Sequence, residues 1–103
     1  RAIPVAASVD KPEDVQAMFE FIRAQGCWVN ILINNAGIVA DSMAATMSLD
    51  AWNSVVSTNL TGSFHCVRAA ISSMTVRKSG CIVNIVGVGS RAGSAPISRA
   101  CAA

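Results

Sequence analysis

The sequence predicts an α/β fold built on a parallel, doubly wound type of sheet, and three observations carry that expectation. Short, almost wholly apolar runs near residues 3–8, 29–33 and 81–86 alternate with two segments of helical periodicity. Those runs lack the in–out alternation of a strand with one wet face, so they read as strands covered on both faces. Hydrophobic residues make up 52% of the 103 residues and charged residues 14%, which excludes disorder and implies that much of the surface expects covering. The order strand, helix, strand, helix, strand argues for right-handed crossovers and a parallel sheet. Three strands with two main helices make only part of a doubly wound domain. Residues 1–103 therefore read as a single partial domain, truncated at both ends.

Each element has its own local signal. The apolar run ahead of Asp10-Lys11-Pro12 predicts a strand over 3–8. Asp10 is a good N-cap, Pro12 suits the first turn and Glu13 stands in the capping-box position. Val15, Met18, Phe19 and Ile22 keep helical spacing and Gly26 is a stop, which predicts a helix over 12–25. The second strand, 29–33, is closed by Asn34-Asn35-Ala36-Gly37. A loop then runs to Ser48, a plausible N-cap. Trp52, Val55, Val56, Leu60, Phe64, Val67, Ile71 and Met74 form one long stripe, predicting a helix over 49–77 that ends near Lys78-Ser79-Gly80. The third strand, 81–86, leads into Gly87, Gly89 and Gly93. There is no internal repeat, low-complexity segment or linker.

Composition excludes several classes. The net charge of +2 comes without a basic run, which argues against a nucleic-acid partner. No apolar stretch approaches the roughly 20 residues that span a bilayer, and no signal peptide opens the chain. The four cysteines have no C-x-x-C spacing and His65 is the single histidine, so neither a metal site nor a disulfide framework is expected. Reduced thiols in a cytoplasmic protein are the simplest account. Cys27, Cys66 and Cys81 read as buried fillers, and His65 as a core or interface residue rather than a base.

Three motifs then stand in one order: Asn34-Asn35-Ala36-Gly37 after a strand, Trp52 followed by Asn59-Leu60-Thr61-Gly62-Ser63-Phe64 on the long helix, and Gly80-Cys81-Ile82-Val83-Asn84-Ile85 on the next strand. Together they resemble the short-chain dehydrogenases/reductases, over nearly the whole chain. The resemblance implies a partial Rossmann-type sheet. It also implies an oxidoreductase that uses NADP or NAD to interconvert carbonyl and hydroxyl groups by hydride transfer. Within the family the nearest look is to the 3-oxoacyl-acyl-carrier-protein reductases of fatty-acid synthesis. The implied partners are a small carbonyl or alcohol substrate, or an acyl-carrier-protein thioester, and a second copy of the chain packed through the long helix.

By the same resemblance, Ser8, Val9, Asn35, Ala36, Gly37 and Ile85 fall in the cofactor set. The Asn-Asn-Ala-Gly turn lies at the carboxyl end of a parallel strand, where open α/β sheets bind ligands. Asn59 matches a family Asn that sits at a helix irregularity and holds a water in the proton relay. Ser8 departs from the family's usual Asp, and a hydroxyl accepts the adenine amino group without charge assistance. Two catalytic positions depart further. Gly87 stands where the family has Ser, with Ser90 three residues late. Cys101 stands where it has the acid/base Tyr, and a thiol is shorter than a phenol by a whole ring. The family's Lys, its Gly-rich phosphate turn and its NAD-or-NADP selector would all lie outside residues 1–103. Two rival readings remain. Gly87-Val88-Gly89-Ser90-Arg91-Ala92 fits a dinucleotide fingerprint, although Pro96 interrupts the helix it needs. Alternatively, the chain is a catalytically dead or truncated member kept as an oligomerisation or scaffold module.

Overall fold

The computed structural model describes residues 1–40 and 42–87. Helix α1 (Pro12–Ala24) opens with proline at its start and carries Glu13 and Asp14 in the first turn and Arg23 in the last. These charges complement the helix dipole at both ends. Lys11, not Asp10, occupies the N-cap, and its side chain makes no capping bond. Asp10 instead accepts from the Ser8 hydroxyl. Asp14, three residues into the helix, takes the reaching-back role expected of Glu13 and accepts from the Ser8 N–H at 3.0 Å. Beyond the helix Gly26 adopts φ +69°, a left-handed conformation that a Cβ would strain.

Strands β1 (Ile31–Asn34) and β2 (Cys81–Asn84) pair in parallel, from Ile31 opposite Cys81 to Asn34 opposite Asn84. β1 starts two residues later than expected, and β2 stops two residues earlier. The sheet of the described residues has these two strands only, so the third strand expected over 3–8 is corrected. Strand order supplies the reason. In a doubly wound sheet of order 3-2-1-4-5-6, the third strand is separated from the fourth by two others. In the family that the sequence resembles, the Asn-Asn-Ala-Gly motif follows the fourth strand, which would make β1 the fourth and 3–8 the third. The segment therefore has no ladder neighbour among these residues.

The long helix covers the expected span but is not uniform. α2 (Leu49–Val56) is capped by Ser48, whose Oγ accepts from the Ala51 N–H at 3.1 Å. A π turn (Ser57–Thr61) follows, with the Gly62 N–H donating to the Ser57 carbonyl five residues back. α3 (Gly62–Arg77) then runs to Lys78, which closes it at φ 53°. Arg77 lies over the Trp28 ring at 5.1 Å, a cation–π contact that ties the helix end to the entry of β1.

Val15 and Phe19 of α1 meet Cys66, Ala70 and Met74 of α3, with Val9, Leu32 and Ile82 packed against them. One face of the sheet is thus covered. The other is not: Ile31 and Ile33 are 64% and 59% exposed, so among the described residues the expectation of strands covered on both faces is corrected. Cys27 and Cys81 are exposed as well, and of the three described cysteines only Cys66 is buried. The filler reading holds for that one thiol.

Candidate functional site

Parallel pairing brings the carboxyl ends of β1 and β2 to one edge. There the Asn34 Nδ2 donates to Asn84 Oδ1 at 2.9 Å, and the Ile85 N–H continues the ladder to the Asn34 carbonyl at 2.9 Å. This side-chain bridge ties the two strand ends before the chain departs into 35–39 and 85–87.

The π turn supplies the third wall. Asn59, in its middle, donates from Nδ2 to the Ile38 carbonyl at 3.1 Å and accepts on Oδ1 from the Ile38 N–H at 2.8 Å. An amide side chain carries a donor and an acceptor side by side, so it can satisfy both polar groups of one backbone residue. Gly37 lies directly beneath, where an added Cβ would come within 3.3 Å of Asn59 Oδ1. A mid-helix Asn and a nearby glycine were visible in the sequence, but their backbone partner, Ile38, carries no sequence signature.

A cavity of about 600 Å³ opens between these walls, and Asn35, Ala36, Gly37, Asn59, Ile85 and Gly87 all line it. The candidates drawn from three separate motifs therefore converge on one crevice at the carboxyl edge of the sheet. Ser8 and Val9 are not part of it. Val9 borders a second hollow of about 340 Å³, together with Asn34, Asn35, Ala36, Gly62 and Ser63. Ser8 is exposed and its hydroxyl hydrogen is committed to Asp10, so its lone pairs are what it offers outward. Cys101, Ser90 and the fingerprint starting at Gly87 fall wholly or largely outside the described residues.

His65 is the residue whose position the sequence did not reveal. It is half-buried on α3, and its Nδ1 lies 3.0 Å from the Val9 carbonyl oxygen. One turn earlier, Gly62 packs so closely that a Cβ would meet Val9 Cγ2 at 2.6 Å.

The residues lining the crevice suit part of a nicotinamide dinucleotide. Ala36, Gly37 and Gly87 allow a flat sugar to approach the backbone, and Asn35 and Asn84 are neutral amides suited to hydroxyl and carboxamide groups. None of these groups carries a charge that would answer a pyrophosphate. Burial pushes the Cys66 thiol up from its ordinary range, which makes it a poor nucleophile. Among the described residues no group of three or more His, Cys, Asp or Glu could hold a metal ion. No helix there is long and apolar enough to cross a membrane.

Comparison with known proteins agrees with this layout. The short chain dehydrogenase family matches residues 1–103, and the chain belongs to that family. It is 36% identical over 93 residues to a 3-oxoacyl-[acyl-carrier-protein] reductase of Synechocystis sp., covering 90% of this chain and 38% of that protein. It is 33% identical over 84 residues to the 3-oxoacyl-[acyl-carrier-protein] reductase FabG of Staphylococcus epidermidis, covering 82% and 34%. The FabG of Salmonella typhimurium is 35% identical over 96 residues, at 90% and 39%. The chain thus spans between a third and two-fifths of the length of these curated relatives.

Proposed function

We propose that the protein carrying these residues is an NAD(P)-dependent oxidoreductase that interconverts carbonyl and hydroxyl groups, with 3-oxoacyl-acyl-carrier-protein thioesters as its substrate class. Residues 1–103 are part of its dinucleotide-binding domain. The observation that carries this reading is the convergence of Asn35, Ala36, Gly37, Asn59, Ile85 and Gly87 on one crevice at the carboxyl edge of β1 and β2, the position at which open α/β sheets bind ligands. The names of the relatives supply the substrate class.

In this reading a bound nicotinamide supplies or accepts the hydride. Asn35, Ala36 and Gly37 lie against the adenine ribose of the cofactor, Ile85 borders the same crevice, and Ser8 and Val9 face the adenine. Asn59 holds the cofactor loop rather than the substrate, because both ends of its amide are committed to Ile38. Gly87 stands at the Ser position without a hydroxyl and Cys101 at the Tyr position with a thiol, so neither supplies the family's chemistry at those atoms. The protein is assigned to the cytoplasm, with reduced cysteines.

The alternative, an oligomerisation module, draws on one further observation. Leu60, Phe64 and Ile71 of the long helix are 54%, 59% and 46% exposed, and their four- and seven-residue spacing sets them on one stripe. NADPH fluorescence titration run beside sedimentation separates the two readings. Saturable enhancement of the cofactor signal supports the oxidoreductase; self-association without any binding supports the module.

A further inference from the structure

Helices α1 and α3 pack side by side through Val15 and Phe19 against Cys66 and Ala70. Their outer surfaces leave a groove of about 360 Å³ between them. Its floor is apolar, made by Val15, Phe19 and Ala69, while Arg23 of α1 and Arg68 and Ser72 of α3 stand exposed on its rim. Gln16 and His65 line it as well, and no carboxylate does. The groove shares no residue with the crevice at the carboxyl edge of the sheet.

The polar groups of this rim are uncommitted, although their neighbours are not. Among the described residues neither the Arg23 nor the Arg68 guanidinium makes an ion pair or a hydrogen bond. Of the acids of α1, Asp14 accepts from the Ser8 N–H, Glu20 accepts from Gln16 Nε2 at 2.8 Å, and Glu13 lies outside the lining. On α3 the hydroxyls of Ser63, Ser73 and Thr75 turn back onto carbonyls three or four residues earlier. That of Ser72 makes no such bond, so its hydrogen is free to turn into the groove. Ser72 follows Arg68 by one turn, about 6 Å along the helix axis. Two cations without a counter-charge at one concave surface set a field that favours anions.

We propose that this groove is a second binding site, for a small phosphomonoester: Arg23, Arg68 and Ser72 hold the phosphate, and Val15, Phe19 and Ala69 take the body of the ester. The chemistry of the rim selects the group. A guanidinium offers paired donors that match phosphate oxygens. Two guanidiniums and a hydroxyl, arriving from two helices, suit a tetrahedral group with three free oxygens better than a planar carboxylate with two. The volume falls at the lower end of small-molecule sites, which leaves room beyond a phosphate ion for the apolar floor to be used. The groove lies on the helix layer, away from the strand ends where the cofactor is proposed to bind, so the inference does not depend on the dinucleotide reading.

The test uses the full-length protein and calorimetric titration with phenyl phosphate, inorganic phosphate and acetate. Phenyl phosphate is expected to bind about tenfold more tightly than inorganic phosphate, because its ring covers the floor, and acetate more weakly than either. Arg23→Gln and Arg68→Gln should each weaken phenyl phosphate about tenfold or more, the worth of a charge-assisted hydrogen bond, and Ser72→Ala by less. Lys78→Gln, which removes a cation outside the groove, should change nothing. The titrations are run with and without saturating NADPH and should agree. Competition from NADPH would place the phosphate in the cofactor site and overturn the proposal. So would an absence of binding, arginine variants that bind as the parent does, or a loss of the same size in Lys78→Gln. Equal affinities for phenyl phosphate and inorganic phosphate overturn the ester, and acetate binding as tightly as phosphate overturns the tetrahedral group. Should a variant not fold, the guanidinium Nε–H signals of Arg23 and Arg68 in the unsubstituted protein decide the matter. They must shift on addition of phenyl phosphate, and signals that ignore it overturn the proposal.

Discussion

Gly62 and Gly80 look alike in the sequence, yet their neighbours separate them. A Cβ on Gly62 would press on the Val9 side chain and come within 3.2 Å of the Val9 carbonyl carbon, and that peptide is pinned by His65. Gly62→Ala should therefore cost about 1–3 kcal/mol, the usual penalty for overpacking against something that cannot yield, read as a lower urea midpoint. A Cβ on Gly80 would meet Met74 Cγ and Sδ at 2.5 Å, atoms that rotation about χ1 can move, and Met74 Cβ at 2.9 Å, but no backbone atom. A methionine adapts by rotation, so Gly80→Ala should cost less than Gly62→Ala in the same assay; equal losses would contradict this account. Lys78 sits at φ 53°, where a non-glycine residue is strained by about 1–2 kcal/mol, and Lys78→Gly should recover roughly 1 kcal/mol of it. The cysteines give a chemical readout. Burial raises the Cys66 thiol above the ordinary thiol range, so its thiolate is disfavoured in the folded chain. Cys27 and Cys81 are exposed and should react first with a disulfide reagent near pH 8, with Cys66 following only as the chain opens. The linkage has a definite sign. Well below the ordinary thiol range the group is neutral in both states and costs nothing; as pH rises through that range the unfolded chain loses the proton first, so folding stability declines. Cys66→Ala should remove part of that decline in unfolding measured from pH 8 to 10.

At the scale of elements, the π turn organises the site. A regular helix advances about 100° per residue, so one extra residue turns everything beyond it to a new direction. Val55 of α2 is buried but lies outside the cluster formed by Cys66, Ala70 and Met74 of α3 with α1. The turn lets the two halves of one helix bury different faces while it aims Asn59 at Ile38. π bulges recur at functional sites for this reason. Deleting Thr58 should restore regular helix and rotate α3 against α2 by about 100°. Far-ultraviolet helix content would stay nearly constant while stability falls by several kcal/mol, because Val55 and Ala70 can no longer both be buried. A deletion variant as stable as the parent would refute this. The same element marks the limit of what the sequence reveals. Both helices were legible from spacing, caps and glycine stops, and the crevice was legible because its motifs follow strand ends. The π turn was foreshadowed only by the family's helix irregularity at Asn59, since one inserted residue leaves an apolar stripe looking continuous. The face of α3 was also misread. Phe64 and Ile71 of α3, like Leu60 of the π turn, point outward, and the buried side of α3 is made by Gly62, Cys66, Ala70 and Met74, of which only Met74 belongs to the apolar stripe. The strand over 3–8 had the right composition but no neighbour to pair with. The Asn59–Ile38 and His65–Val9 bonds join side chains to backbone, which any residue could supply.

For the whole molecule, the balance of covered and uncovered surface decides behaviour. Among the described residues the sheet has two strands and hence two edges, each a row of N–H and C=O groups that templates association. Its outer face presents Ile31, Ile33 and Val83. The radius of gyration is 15.6 Å, against about 13 Å for a compact domain of 100 residues. The core cluster draws on five buried residues, Val15, Phe19, Cys66, Ala70 and Met74. A two-stranded pair is marginal without further strands or helices against it, and small domains hold only about 5–15 kcal/mol in total. One strand's worth of lost burial, at about 25 cal/mol per Å², removes several kcal/mol of that. The purified 103-residue chain should therefore be molten or aggregation-prone. It should also reduce no 3-oxoacyl thioester with NADPH above a heat-killed control, because loss of acid/base assistance alone costs about 10²–10⁴-fold. Gly87→Ser combined with Cys101→Tyr should leave it inactive, since the substitutions restore two side chains but neither the sheet nor a phosphate-binding turn. Sedimentation, thermal denaturation and amide NMR check the physical half of this prediction. A monomer with a sharp, reversible transition and dispersed amide signals would overturn it, since exposed edges and a five-residue core would then suffice for a cooperative fold. The longer protein, assayed in parallel, should give that dispersed spectrum, with Ile31 and Ile33 protected from exchange by the strand and helix layers that the family's sheet places against them.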